Sequence, residues 1–302
     1  MKPPLQSKPV NAAAVGVALF CLVFAWGGSW PIMKMVVAEL PIYTFRMITA
    51  WGGGVCMLLV ALLSEHRLML HRKDIGPTIL CGFLTITAWL YFTALALTLL
   101  PAGRAVVLAY TMPLWSALAG TWLLHEPLTR RRIVCLAFGL IGVLILVGDD
   151  IGRLGTAPYG VVAILAAAAS WGLGTVMQKR TVWHSSIFTV AAWQLLFGGI
   201  PFAGLAFFFE SDPFATFTLS GALGMAYVVV VATVFGYWLW FRSIQLVPAG
   251  IASLSILPVP FIGLSLSTLF LGETLGWPDL AALICMTIAL TVIIPKEQLS
   301  RR

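Results

Sequence analysis

The sequence repeats itself between residues 101–128, PAGRAVVLAYTMPLWSALAGTWLLHEPL, and residues 248–275, PAGIASLSILPVPFIGLSLSTLFLGETL. At a shift of 147 residues the aligned pairs are Pro101/Pro248, Ala102/Ala249, Gly103/Gly250, Ala105/Ala252, Pro113/Pro260, Leu124/Leu271, Glu126/Glu273 and Leu128/Leu275. At a shift of 145, Trp26 and Gly27 fall on Trp171 and Gly172, and Lys34 falls on Lys179. The chain is therefore predicted to consist of two related halves, residues 1–150 and 151–302.

Both halves are too apolar for a water-soluble domain. Of the 302 residues, 60% are hydrophobic and 10% are charged, and the mean hydropathy is +0.99. Apolar stretches of about 20 residues match an α-helix that crosses roughly 30 Å of hydrocarbon. We predict ten such helices, at residues 13–33, 41–63, 75–97, 102–124, 132–148, 158–178, 186–209, 218–241, 248–271 and 279–295. The expected fold class is all-α integral membrane.

An odd number of helices in each half determines how the halves are oriented. Because five is odd, the second half has to enter the membrane in the opposite direction to the first. The expected architecture is therefore ten transmembrane helices in two inverted-topology five-helix repeats. Transporters use this architecture, with the substrate bound near the middle of the membrane and access alternating between the two sides.

Basic residues are concentrated in alternate connections, and this predicts the orientation of the chain. The cytoplasmic set is Lys2, Lys8, Arg67, Arg72, Lys73, Arg130, Arg131, Arg132, Lys179, Arg180, Arg242, Lys296, Arg301 and Arg302, which leaves Lys34, Arg46, Arg104 and Arg153 outside. Both termini are expected in the cytoplasm. The net charge of +7 is then a topology signal. Nucleic-acid binding is not favoured, because the basic residues lie in short, separated turns.

The order of the motifs resembles the ten-helix EamA branch of the drug/metabolite transporter superfamily. The motifs are Trp-Gly in helices 1 and 6, Arg46 after Pro41, and an aromatic cluster in helix 3 that leads to Ala94 and Leu95. The Pro-Ala-Gly start, internal proline and terminal glutamate of helices 4 and 9 complete the set. The resemblance implies a bacterial inner-membrane exporter of metabolites, amino acids and aromatic amino acids among them. It also implies a central cavity lined by helices 1, 3, 4, 6, 8 and 9.

Polar and aromatic side chains share helix faces in several spans. Trp171, Thr175 and Gln178 occur at i, i+4 and i+7, so they lie on one face of helix 6. Such a face suits a cavity that stacks a flat group and hydrogen-bonds its polar end. The candidate substrate-binding residues are Trp26, Trp30, Thr87, Tyr91, Tyr110, Trp171, Thr175, Gln178, Thr233, Tyr237 and Trp240. The alternative is that these polar groups hold helix to helix.

Prolines inside helices 4 and 9 predict hinges. Pro113 frees the carbonyl of Ala109, and Pro260 frees that of Ile256. The weakened helices would bend as the two halves exchange conformations. The alternative is a static kink, because proline is common in membrane helices.

Ionisable residues lie at or near helix ends, and no carboxylate falls in the middle of a span. This favours a neutral, zwitterionic or anionic substrate over an organic cation. Lys34 and Arg46 would attract a carboxylate; the alternative is that they snorkel to the interface. Glu126 and Glu273 are expected at helix ends as N-terminal caps of helices 5 and 10, and the alternative for Glu126 is an ion pair with Arg130.

The leading functional hypothesis is a secondary carrier that moves small metabolites, most often amino acids, out of the cytoplasm. The alternatives are a passive channel, which is distinguishable because a carrier saturates and shows counterflow, and an exporter of other metabolites or drugs. A membrane enzyme is disfavoured because no catalytic pair occurs at matching depth, and we predict no enzymatic activity. Neither cofactor nor metal is expected, and the five cysteines are interpreted as packing residues. The expected partners are a small-molecule substrate and the lipid bilayer, with the protein a monomer or weak homodimer.

Overall fold

The computed structural model describes residues 12–151 apart from Glu126 and Leu128, residues 157–240 and residues 258–293. The described residues form helices and connections without any strand. The helices are α1 Ala12–Glu39, α2 Ile42–Leu63, α3 Arg72–Leu99, α4 Ala102–Leu123, α5 Arg130–Ile151, α6 Ala157–Arg180, α7 Ile187–Phe209, α8 Leu219–Trp240, α9 Val259–Leu271 and α10 Trp277–Ile293. The first part of the predicted ninth span lies outside the described residues.

Seven of these helices are long and apolar enough to cross a membrane. The other three, α5, α9 and α10, contain shorter apolar stretches at Ile133–Leu146, Val259–Leu271 and Trp277–Ala289. The all-α membrane fold is thereby confirmed.

Two helices contain π-helical stretches that the hydropathy pattern does not predict. They lie at Phe83–Ala88 in α3 and at Tyr227–Phe235 in α8. The two stretches correspond under the repeat, since Thr87 and Thr233 are 146 residues apart. A π-helical turn changes which side chains share a face, and such turns are frequent at functional sites.

Helix contacts between the halves come in matching pairs. Helix α4 packs on α6, and correspondingly α9 packs on α1. In the same way α3 packs on α6 while α8 packs on α1. Helix α2 pairs with its own counterpart α7, and α5 pairs with its counterpart α10. Helices α1 and α6 therefore line the seam between the halves.

The glycines of the Trp-Gly motif allow this close approach. A Cβ atom on Gly27 would lie 2.7 Å from Ile262 of α9. A Cβ atom on Gly172 would lie 2.8 Å from the backbone nitrogen of Ser116 and 2.9 Å from the carbonyl of Met112, both in α4. Backbone atoms cannot move aside as a flexible side chain can. The glycine of each Trp-Gly motif therefore permits close helix packing, while the preceding tryptophan faces the seam.

Replacing Gly172 with valine is expected to lower the stability of the purified protein by about 1–3 kcal/mol, the usual cost of overpacking. The measurement is the melting temperature in detergent. Gly204 of α7 provides the matched control, because nothing lies within 4 Å of a Cβ atom placed there. An equal loss of stability for Gly172→Val and Gly204→Val would contradict the close contact between α4 and α6.

Candidate functional site

Three tryptophans from three helices meet at the seam. The ring centroids of Trp30 on α1 and Trp89 on α3 are 6.5 Å apart, with the rings nearly perpendicular. Trp89 in turn lies 5.0 Å from Trp171 on α6. We call these three residues the tryptophan cluster. It joins the first half to the second through side chains that present flat apolar faces.

A second group of rings lies one turn along α1. Trp26 lies 6.4 Å from Tyr237 and 5.9 Å from Trp240, both on α8. The indole nitrogen of Trp26 donates a hydrogen bond to the carbonyl oxygen of Ala232 at 3.0 Å. We call Trp26, Tyr237 and Trp240 the second aromatic group. Because Trp26 and Trp30 share one face of α1 and belong to or pack against the same buried cluster, the two groups are neighbours along the seam.

The hydroxyl groups of the predicted threonines donate hydrogen bonds to backbone carbonyl oxygens. Thr87 donates to Gly198 of α7 at 2.9 Å, and Thr233 donates to Val228 in its own π-helical stretch at 2.8 Å. Thr175 donates to the carbonyl of Trp171 at 2.9 Å and is exposed. Each hydroxyl oxygen keeps a lone pair that can accept a further hydrogen bond.

Three further predicted residues lie outside the ring contacts that define the two aromatic groups. Tyr91 stacks on Tyr43 of α2, with centroids 6.3 Å apart. Tyr110 is buried at the break in α4, with 6% of its surface exposed. Gln178 is half-buried near the end of α6. The structure therefore joins Trp26, Trp30, Trp171, Tyr237 and Trp240 through ring contacts with one another or with Trp89. Tyr110 lies in the same buried cluster as Trp30, and Tyr91 packs on the same cluster as Tyr237.

Trp89 belongs to the tryptophan cluster, and sequence reasoning missed it. In a regular α-helix Trp89 would not share a face with Thr87 and Tyr91, whose i, i+4 spacing predicts a common face. The π-helical stretch ends at Ala88, immediately before it. The available signal was the density of aromatic residues in helix 3, because Trp89, Tyr91 and Phe92 occur within four residues.

Arg46 on α2 is fully buried, with 0% of its surface exposed. Its Nη2 donates to Thr93 Oγ1 at 2.9 Å, and its Nη1 lies 3.6 Å from the sulfur of Met33. Its Nε has no hydrogen-bond partner, and the ion pairs formed by the described residues do not include it. The alternative that Arg46 snorkels to the interface is therefore wrong. A guanidinium buried without a counter-ion is costly, and ionisable residues inside membrane spans mark functional sites.

Lys34 on α1 donates hydrogen bonds to backbone carbonyl oxygens. Its ammonium group donates to the carbonyls of Leu97 and Leu100, the latter at 2.7 Å, where α3 ends. A cation at a helix C-terminus satisfies carbonyls that have no partner within the helix. Of the two cations predicted to attract a carboxylate, Arg46 is the one whose hydrogen-bonding capacity is left open.

Carboxylates from one half bind helix N-termini of the other half. Glu210, after α7, accepts hydrogen bonds from the backbone nitrogens of Tyr43 and Thr44 at 2.9 and 2.8 Å. Glu39, at the end of α1, accepts from the backbone nitrogen of Thr218 at 3.0 Å, just before α8. We call the end of the bundle where Glu39, Glu210, Glu273 and Asp279 lie the acidic end. Negative charge at a helix N-terminus is favourable because of the helix dipole.

The prediction that Glu273 caps helix 10 is wrong. Its carboxylate accepts hydrogen bonds from the backbone nitrogens of Ala102 and Gly103, at 2.6 and 2.9 Å, where α4 begins. The reason is packing, because α9 ends beside the start of α4 and the unpaired N–H groups there are nearest. At α10, Asp279 binds the backbone nitrogen of Gly276 and pairs with Arg104 at 2.9 Å. Glu126 lies outside the described residues.

Helix α4 is interrupted just before Pro113. Its first segment ends at Ala109, and the next begins at Met112. Between them the hydroxyl of Thr111 donates to the carbonyl of Leu108 at 2.7 Å, which satisfies this carbonyl locally. Pro260 lies in the first turn of the described part of α9, and Ile256 lies outside the described residues. Bending at either proline during transport stays a prediction.

An apolar groove of about 440 Å³ lies elsewhere, between α1, α8 and α9. Phe20, Phe24 and Phe270 line it together with Tyr227, whose hydroxyl donates to the carbonyl of Ala25 at 3.1 Å. Ligand sites combine apolar walls with a few polar groups that fix orientation. This groove offers almost no free polar group, so the candidate site is placed at the two aromatic groups and Arg46.

An apolar helical bundle with a polar and aromatic seam is the architecture expected of a multi-pass membrane transporter. The sequence model of the EamA-like transporter family matches residues 14–148 and again residues 158–294. The chain belongs to this family, as the order of its motifs predicted. The family match occurs once in each half.

Curated relatives carry transporter names. The chain is 25% identical over 260 residues to the uncharacterized transporter YoaV of Bacillus subtilis (strain 168), with 86% of this chain and 89% of the relative covered. It is 27% identical over 285 residues to the probable amino-acid metabolite efflux pump of Escherichia coli (strain K12), with 90% and 92% covered. A solved crystal structure at 18% identity superimposes with a TM-score of 0.67 over 93% of this chain and 96% of that chain, which shows a shared fold.

Proposed function

We propose that the protein is a secondary carrier that exports small zwitterionic or anionic metabolites, or neutral ones, amino acids foremost. Transport would proceed by alternating access between two inverted five-helix halves, residues 1–150 and 151–302. The charge distribution supports an inner-membrane orientation with both termini in the cytoplasm. The name of the Escherichia coli relative, a probable amino-acid metabolite efflux pump, supports the substrate class.

The observation that carries this proposal is the buried guanidinium of Arg46. Its Nε proton is unpaired, and its two hydrogen-bond partners are a hydroxyl and a thioether. The ring of Phe45 lies 4.2 Å from its Cζ atom and is not a hydrogen-bond acceptor of comparable strength. A carboxylate is the group whose geometry and charge a guanidinium binds best. Arg46 lies on α2, and Met33 and Thr93 place it beside α1 and α3, which also contribute Trp30 and Trp89 to the tryptophan cluster. A small molecule with a carboxylate and an apolar side chain matches this combination.

A thermal-shift screen of the purified protein against amino acids, sugars, nucleosides and quaternary amines tests the substrate class. The hits would then be measured by counterflow in proteoliposomes. We expect amino acids to stabilise the protein and to show saturable counterflow without a strict requirement for a proton gradient. A channel would show neither saturation nor counterflow, and stabilisation by quaternary amines alone would contradict the proposal.

Replacing Trp171 or Tyr237 with alanine is expected to reduce counterflow at least about fivefold, since each ring contributes roughly 1 kcal/mol or more of contact. Matched controls are Trp122→Ala and Tyr159→Ala, because these side chains are 77% and 73% exposed. Both controls should transport normally, and all four variants should insert into the membrane. Normal saturable transport by Trp171→Ala and Tyr237→Ala would remove these residues from the site.

A further inference from the structure

A cluster of metal-ligating side chains lies at the end of the bundle opposite the acidic end. His71 precedes the first turn of α3, Asp74 lies within that turn, and His184 lies in the connection between α6 and α7. The Nδ1 atom of His184 is 3.0 Å from Asp74 Oδ1, and the two imidazole rings stack with centroids 4.8 Å apart. One ligand atom from each residue lies within 4.8 Å of the others. The cluster takes residues from both halves.

The backbone holds Asp74 in place for this arrangement. Its side chain is 1% exposed, and its Oδ2 accepts a hydrogen bond from the backbone nitrogen of Ser185 at 2.7 Å. The backbone nitrogen of His184 also donates to the carboxylate, at 3.1 Å. His184 Nδ1 also contacts this carboxylate, and a bound ion would take the place of that contact. Outer hydrogen bonds such as those from the two backbone nitrogens orient metal-binding carboxylates.

We propose that His71, Asp74 and His184 bind a divalent transition-metal ion of the zinc class. Two imidazoles and one carboxylate are ligands that Zn²⁺ prefers, whereas Mg²⁺ prefers oxygen ligands only. The separation of 3.0 Å between a nitrogen of His184 and an oxygen of Asp74 is near the distance between two ligands of one tetrahedral ion. Both histidines are exposed, so the ion reaches them directly from water.

A bound ion would join the connection between α2 and α3 to the connection between α6 and α7. If His71 coordinates the ion through Nε2, the proton of the neutral imidazole has to move from Nε2 to Nδ1. In this tautomer Nδ1 no longer accepts the hydrogen bond from the backbone nitrogen of Lys73, which at 3.3 Å is a long hydrogen bond. The ion would thereby fasten the two halves to each other at this end. An ion that binds only the folded protein raises its melting temperature.

The test uses the full-length protein without a histidine tag, stripped of metal and titrated with ZnCl₂ by calorimetry and thermal shift. The variant His71→Asn removes the imidazole but keeps an acceptor for the Lys73 nitrogen, because asparagine is a good N-cap. His184→Ala removes the second imidazole and leaves the backbone bonds to Asp74. His66→Ala is the matched control, since His66 is an exposed histidine of the same connection that lies outside the cluster.

We expect Zn²⁺ to bind the wild-type protein and His66→Ala with equal affinity, and His71→Asn and His184→Ala at least about tenfold more weakly. MgCl₂ should produce no comparable stabilisation. Equal Zn²⁺ affinity in all four proteins, or equal stabilisation by Mg²⁺, would overturn the proposal and leave the cluster as a hydrogen-bonded contact. These measurements do not depend on transport, so their outcome is separate from that of the carrier hypothesis.

Discussion

Replacing Arg46 with methionine is expected to reduce counterflow of a carboxylate-bearing amino acid roughly tenfold to a hundredfold. A hydrogen bond to a charged group contributes about 1.5–3 kcal/mol, and about 1.4 kcal/mol corresponds to a factor of ten. The loss should depend on the carboxylate. Wild-type protein should prefer phenylalanine to phenylalaninamide in competition assays, and the Arg46→Met variant should not distinguish between them.

The melting temperature of Arg46→Met separates a binding role from a structural one. Methionine is apolar and removes a buried charge, so stability should be unchanged or higher. Thr93 loses no essential partner, because its hydroxyl already donates to the carbonyl of Trp89 at 2.7 Å. Arg46→Lys keeps a charge without the planar fork and is expected to retain partial selectivity. A less stable Arg46→Met protein with unchanged preference for the carboxylate would show that Arg46 only holds α2, α1 and α3 together.

The fold follows from the sequence because the bilayer permits few solutions. Backbone groups in hydrocarbon must bond within their own helix, so each apolar stretch predicts a span almost by its length alone. The bounds agree within a few residues for most spans, while α1 continues to Glu39, six residues beyond the predicted Met33. This extension places Glu39 beside Thr218 and helps to build the acidic end.

The candidate site is less accessible to sequence reasoning because a helical face depends on regular geometry. The stripe on α1 places Trp26 and Trp30 on one face, since α1 is α-helical over both residues even though Pro31 follows Trp30. The stripe on α3 is altered by the π-helical stretch, so Thr87 bonds α7 and Tyr91 stacks on Tyr43. Pattern analysis assumes 3.6 residues per turn, and a local π turn removes that assumption.

Contacts between helix ends that are far apart in the chain could not be predicted from the sequence either. The sequence favours Glu273 as a cap of the helix that follows it, because a cap is usually found near its own helix in sequence. Its partners Ala102 and Gly103 lie 171 and 170 residues away. The repeat aligned α4 with α9 and yet did not reveal that the end of one packs against the start of the other. Only the relative placement of the two halves provides that information.

Replacing Glu273 with glutamine is expected to weaken closure of the acidic end. The carboxylate accepts two backbone hydrogen bonds at the positive end of α4. Glutamine has one acceptor oxygen, and its amide group would face an N–H donor. Losing one charge-assisted bond, about 1.5–3 kcal/mol, should raise the population of states open at this end about tenfold or more.

The measurement is labelling of Leu100→Cys by a membrane-impermeant maleimide, because Leu100 is 1% exposed at the acidic end. Labelling should be at least about tenfold faster when Glu273→Gln is also present. The protein without the introduced cysteine gives the background from its native thiols. Glu65→Gln is the matched control, since Glu65 is exposed on the turn after α2, at the opposite end. Unchanged labelling together with a lower melting temperature would identify the Glu273 contact as a static helix cap that takes no part in opening.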